Sequence, residues 1–269
     1  MNLYIRRLIW PSLIVAACTM PAVAEAPRAI GQTYVYQLAV NNNISTDYST
    51  LPASVRGQAQ AVQAAGNKTP TIYVFTLTTD RVNSDGSAHM NVSFTNSLES
   101  NTRGADPSVL ARFNQFEATF GADGRLIPQY DPNMHLTVGA RGMSPPEEIH
   151  NQKAQQTSNL FTDFNTFAGG CAKRGEIKAG DAWRVVKKDQ YANPRTYDFA
   201  ATSVAGTVAT VAMKGNFTSP NSTSNLDATG RYDLARRLVL DLHATNTFKN
   251  TTPAGMSSSG TTTMEYKLQ

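Results

Sequence analysis

Residues 73–94 read YVFTLTTDRVNSDGSAHMNVSF. Tyr73, Phe75 and Leu77 alternate with polar or smaller neighbours, so they project to one side of an extended chain. Asn83-Ser84-Asp85-Gly86 follows, and Asp-Gly is a strong hairpin signal because glycine accepts the positive φ such turns need. On the return, Met90, Val92 and Phe94 share one face, while His89, Asn91 and Ser93 share the other. This stretch predicts a two-stranded hairpin with one apolar and one polar face.

The same alternation extends in both directions. Tyr34, Tyr36 and Leu38 alternate after Gly31. Phe116, Ala118 and Phe120 run into the turn Gly121-Ala122-Asp123-Gly124, and Leu126 opens the answering strand. A second series repeats the order. Gly31 to Tyr36 resembles Gly180 to Val185, and Tyr73-Val74-Phe75 resembles Tyr197-Asp198-Phe199. Ser93-Phe94-Thr95 resembles Asn216-Phe217-Thr218. Phe120 to Leu126 resembles Tyr232 to Leu238. Shared order suggests a duplicated β unit. The expected fold is mainly β: a duplicated antiparallel meander forming a curved sheet or half-barrel, with one or two helices packed on it.

Helical periodicity occurs twice. Residues 51–65 place Leu51, Val55, Ala59 and Val62 on one stripe, and Gly66 can end the helix. Between the units, Ser144 reads as an N-cap, Pro145 as the first helical residue and Glu147 as the partner in a capping box. This helix is expected to run to Ala168 and to stop at Gly169-Gly170. Its apolar stripe is Leu160, Phe161, Phe164 and Phe167, and its polar first two-thirds are expected to lie in water. The polar segments Asn41 to Thr50, Ser219 to Asn225 and Thr251 to Thr262 read as loops. The expected organisation is a signal peptide over 1–24, a first β unit over 25–142, a linking helix over 143–170 and a second β unit over 171–269.

The signal reading rests on the basic pair Arg6-Arg7, the apolar run Leu8 to Ala17, and the small-x-small site Ala22-Val23-Ala24. It places the protein in the periplasm or outside the cell. Cleavage after Ala24 leaves Glu25 first. Val15-Ala16-Ala17-Cys18 also resembles a lipobox, which would place a lipid anchor on Cys18, a reading second to cleavage after Ala24. No later stretch is long and apolar enough to be read as a transmembrane helix. The formal charge of +4 falls to +2 without Arg6 and Arg7, and no basic cluster marks a nucleic-acid interface. Cys171 is then alone, which leaves no intrachain disulfide, and burial is its expected fate.

Chemistry is sparse. His89, His135 and His243 each fall opposite the apolar residues of an alternating run, which reads as solvent-facing. Glu147 and His150 share a helix face at metal-ligand spacing, but the further carboxylates of a two-metal site are missing. Nucleophile elbows, Walker patterns and dinucleotide fingerprints are absent. No catalytic, cofactor-binding or metal residue is assigned, and no cofactor is expected. The aromatics read as core, with a ligand cavity under the helix as the alternative.

In element order the chain resembles exported bacterial β proteins of unknown function. In fold it resembles the half-barrel lipoprotein carriers of the cell envelope, where a curved antiparallel sheet wraps helices and an apolar cavity. That resemblance implies an exported, non-catalytic envelope protein binding an apolar small molecule or another envelope component. The alternatives are a hydrolase with an unrecognised site and a structural or adhesive surface domain.

Overall fold

A computed structural model describes residues 28–66, 70–97, 114–134, 145–188, 194–251 and 256–269. The expected export signal with Cys18, the expected new terminus at Glu25, His135 and Ser144 lie outside the described residues.

The protein is mainly β. Its elements, in chain order, are β1 (Thr33–Thr46), α1 (Ala53–Gly66), β2 (Thr71–Val82), β3 (Ala88–Asn96), β4 (Gln115–Phe120), β5 (Leu126–Pro128), α2 (Pro146–Leu160), α3 (Thr162–Arg174), β6 (Ala182–Lys188), β7 (Pro194–Ala205), β8 (Val208–Ser219), β9 (Ser222–Asp233), β10 (Leu238–Thr251) and β11 (Ser257–Leu268). The eleven strands of the described residues join one antiparallel sheet in the order β5-β4-β3-β2-β1-β11-β10-β9-β8-β7-β6. No helix among the described residues is long and apolar enough to cross a membrane.

The residues matched in the sequence fall on β1 and β6, β2 and β7, β3 and β8, and the hairpins β4–β5 and β9–β10. The two meanders lie side by side in the same sense, and β11 joins β1 to β10. Matched residues also share a face. Tyr36 and Val185, Phe75 and Phe199, and Phe120 and Tyr232 are all buried. The β2–β3 hairpin carries a bulge at Asp80, and the β7–β8 hairpin carries one at Thr202. The buried residues of both meanders form one core cluster, so the units share a sheet and a core.

The sheet is open, since β5 and β6 do not pair with each other. Laid flat, eleven strands would span about 48 Å, yet α3 reaches both edges. The Asn165 side chain pairs with the backbone of Leu126 in β5, at 2.7 and 2.6 Å. Lys187 in β6 donates to Thr166 Oγ1 at 3.3 Å. The sheet therefore bows around α3. At one end of the bow the turn before β5 meets the turn before β10: Arg237 donates to the Ala122 carbonyl at 3.3 Å. Nearby, Arg28 lies 4.4 Å over the Phe120 ring and donates to the Gly86 carbonyl at 2.6 Å.

Under the bow the stripe of α3 packs against the inner strand faces. Phe161, Phe164 and Phe167 are fully buried. Phe164 meets Tyr36 edge to face at 5.3 Å, and Phe161 meets Phe75 at 5.1 Å. Tyr266 donates to the Leu160 carbonyl. Cys171 is buried, as expected, and burial raises its thiol pKa.

Several expectations about the helices and loops need correction. The linking helix is two helices, broken at Phe161 (φ −91°, ψ 9°), and it continues past Gly169-Gly170 to Arg174. Gly170 does not stop it, because glycine is needed there for close approach. A Cβ on Gly170 would overlap the Phe199 ring, and Trp183 donates to the Gly170 carbonyl at 3.0 Å. The first helical residue is Pro146, one later than expected. Pro145 is the N-cap, and no side chain caps it, so the Glu147 capping box does not form. The polar part of α2 is not simply solvated: Asn151, Ala154 and Thr157 are buried, on a helix that packs against β4 and β5. Of the stripe expected for the first helix, Leu51 and Ala59 are half-buried, but Val55 is 45% exposed, and among the described side chains of α1 Arg56 and Gln63 are half-buried as well.

The three expected loops are largely strand. Asn41–Thr46 belongs to β1, the Ser219–Asn225 segment is a tight β8–β9 hairpin, and β11 begins at Ser257. Their composition misled because these strand ends outrun the apolar core, so backbone pairing holds them without apolar side chains. β1 outruns β2 by the six residues after Val40. On the uncovered edge, Gln63 of α1 donates to the Ile44 carbonyl at 2.5 Å, which blunts an unpaired strand.

Candidate functional site

The strand ends beyond Phe161 build a second zone of the inner face. There Ile44, Gly260 and Phe248 are ladder neighbours on β1, β11 and β10. At Gly260 the β1 backbone comes so close that a Cβ would overlap the Asn43 carbonyl, and Ile44 and Phe248 on either side are half-buried. Half-buried Phe217 and Met264 extend the apolar lining. Polar groups alternate with it and bond to one another. Thr262 donates to Asn42 at 2.8 Å, Ser224 to Asn246 at 2.7 Å, and Ser222 to Asn250 at 2.5 Å. The zone is a trough with both apolar and hydrogen-bonding walls.

At its inner end stands Asp163, in the first turn of α3, where a carboxylate suits the helix dipole. Asp163 and Arg195 line a cavity of about 40 Å³ together with Tyr197, Phe217, Ser224 and Asn246. Burial pushes the Asp163 carboxyl up to about 6, against the opposing pull of Arg195 and Lys187. Among the described residues no donor bonds to this carboxylate. The Arg195 guanidinium carbon lies 4.3 Å over the Phe217 ring, and Arg195 bonds to the Tyr197 hydroxyl, which also meets Thr166. Thr166 donates to the Thr162 carbonyl at 2.9 Å. Lys187 is pushed down to about 8, first by burial and then by Arg125.

An acid raised by burial without a hydrogen bond costs stability when it ionises. The folded protein holds the Asp163 proton more tightly than the unfolded chain does. Stability from this group is therefore full below about pH 4 and is lost as pH rises through about 6. Asp163→Asn should raise stability by about 1–2 kcal/mol at pH 7.5, with the gain vanishing near pH 4. Urea unfolding of both proteins at the two pH values checks this, and Arg195, Lys187, Tyr197 and Tyr266 are the charged or titratable groups facing the acid.

The residues weighed in the sequence do not gather here. His89 stands on the outer face between two carboxylates, with Nδ1 3.5 Å from Asp80 and Nε2 3.3 Å from Glu117. Its side chain is only 16% exposed, so it is more covered than a solvent-facing strand residue. Its two ring nitrogens point to different acids, which prevents both acids from sharing one metal with it. His243 pairs with Glu265 at 3.3 Å, four strands from His89, or about 19 Å across the sheet. Glu147 is exposed and His150 half-buried on α2. Among the described residues no cluster of three metal-ligating side chains occurs.

Two larger depressions, of about 600 and 510 Å³, are wide open to solvent. One is lined by Ala182, Ala200 and Ala212 beside the Arg184–Asp198 pair, and the other by Gln115, Glu117 and His150. Neither holds a buried charge without a partner, which distinguishes the smaller cavity at Asp163.

Sequence reasoning missed Asp163, Arg195 and Lys187. One signal was present: Asp163 is the only acid within the apolar third of the helix, next to Phe164. No family model matches the chain, and no curated protein matches it.

Proposed function

We propose that this is an exported envelope protein that binds an apolar or amphipathic ligand along the inner trough of its sheet. The observation that carries the reading is the pattern beyond Phe161, where Ile44, Phe217 and Phe248 remain half-buried on strand ends that outrun the core. Large side chains on an inner face normally pack against a second layer, and α3 stops short of these. The alternative cavity under the helix finds no support, because Phe161, Phe164 and Phe167 fill that space. Export rests on Arg6-Arg7, the apolar run and Ala22-Val23-Ala24.

A hydrolase remains the second reading, because Glu117 and His150 line the same outer depression. It is the weaker one, since Glu117 already faces His89 at 3.3 Å.

The test is binding of a fluorescent acyl-chain probe to the exported protein. Saturable one-to-one binding is expected, and Phe248→Asp should weaken it about tenfold or more by placing a charge on the apolar wall. Phe248 is only half-buried, so the melting temperature should change little. Absence of saturable binding, or binding indifferent to Phe248→Asp, would overturn the reading.

A further inference from the structure

The strand register lines up the side chains of the trough in rows across the sheet, each row two residues further along the strands. Asn42, Thr262 and Asn246 make one row over β1, β11 and β10. Ile44 and Phe248 lie in the next, with Gly260 between them. Asn250 and its partner Ser222 lie in the row beyond. An apolar row thus runs between two polar rows, which stand about 13 Å apart. None of these residues is charged.

The polar rows have unused hydrogen-bonding capacity. Thr262, Ser224 and Ser222 donate to the side-chain oxygens of Asn42, Asn246 and Asn250. The amide nitrogens of these three half-buried asparagines donate to nothing among the described residues. Turning an amide over would leave its oxygen open instead, so each offers an unused end in either orientation.

Ligand classes separate on this pattern. A plain acyl chain covers Ile44 and Phe248 but leaves the amides it buries without partners. A charged head group loses water here and gains no opposite charge from the three rows. A sugar ring carries C–H groups on its face and neutral hydroxyls around its rim, which matches an apolar row between polar ones. We infer that the trough takes an uncharged glycoside with a short oligosaccharide head. One ring lies against Phe248, with Asn246 and Asn250 at its opposite edges, and a second lies toward Ile44 within reach of Asn42. Phe217, in the row of Phe248 two strands further on, receives the apolar group attached to the sugar. The inference rests on the trough being the ligand surface, as argued above.

The experiment is calorimetric titration of the exported protein with decyl maltoside and decyl sulfate, each below its micelle concentration, beside the fluorescent acyl-chain probe. The two share a tail and differ in the head. The maltoside should bind about tenfold tighter than the sulfate, or more. Asn250→Ala should weaken the maltoside about tenfold and change the acyl-chain probe less than about twofold. Asn42→Ala should act in the same direction through the far ring, and serves if Asn250→Ala does not fold. Maltoside binding no tighter than that of the sulfate, unchanged maltoside binding in both variants, or an equal loss of maltoside and acyl-chain probe would overturn the glycoside assignment and leave the trough in place. Failure of all three probes to bind would overturn the trough reading itself.

Discussion

Replacing Phe164 with alanine should lower stability by about 3–5 kcal/mol. The ring is fully buried and meets Tyr36, Phe161 and Tyr266, with centroids 5.3, 5.2 and 5.5 Å away. Those neighbours cannot easily close the void. Tyr36 is fixed by its hydrogen bond to the Val239 carbonyl at 2.9 Å, and Tyr266 by its bond to the Leu160 carbonyl. The residual cavity therefore adds to the lost transfer energy. Urea unfolding with an unchanged slope would report the loss cleanly. A loss below about 1 kcal/mol would mean that α3 rests loosely on the sheet, and the space beneath it would return as a ligand cavity.

Gly124→Ala should cost about 2–4 kcal/mol, through two separate effects. Gly124 has φ +81°, where any side chain is strained, and its Cβ would press on the Arg237 carbonyl of the facing turn. Gly31 is the control. It has φ +79°, but nothing lies within 4 Å of its Cβ position. Gly31→Ala should cost only the backbone part, about 1–2 kcal/mol. The difference between the two variants isolates the contact that brings the β4–β5 and β9–β10 turns together. Equal losses would show that the sheet does not bow enough for the turns to touch.

The paired strands were legible because local and global signals agree in them. Tyr73 to Phe94 carries alternation, a turn glycine and a polar return face, and each demands the same hairpin. The helix end was misread because glycine has two uses. Gly170 looked like a stop, whereas it makes room for Phe199, a residue distant in the chain. The polar strand ends were misread for a related reason. Asn41 to Thr46 pairs with Thr263 to Ser258, more than two hundred residues away, and composition carries no trace of such a partner.

The candidate site was hidden for the same physical reason. Asp163 and Arg195 come from a helix and a strand separated by β6, and only the bow of the sheet brings them to one cavity. Asp163 alone stood out locally, as an acid among phenylalanines. His89, prominent in the sequence, is explained by the carboxylates of Asp80 and Glu117 on neighbouring strands.

The proposed ligand lies at the inner ends of the strands rather than on the outer face. Amide chemical-shift mapping of the isotope-labelled protein during titration with decyl maltoside tests this most directly. Shifts should concentrate at Ile44, Phe217, Ser224, Asn246, Phe248 and Gly260, with Asp163 following. Shifts centred on Asp80, His89 and Glu117, or on Ala200 and Ala212, would place the ligand on the outer face and contradict the claim.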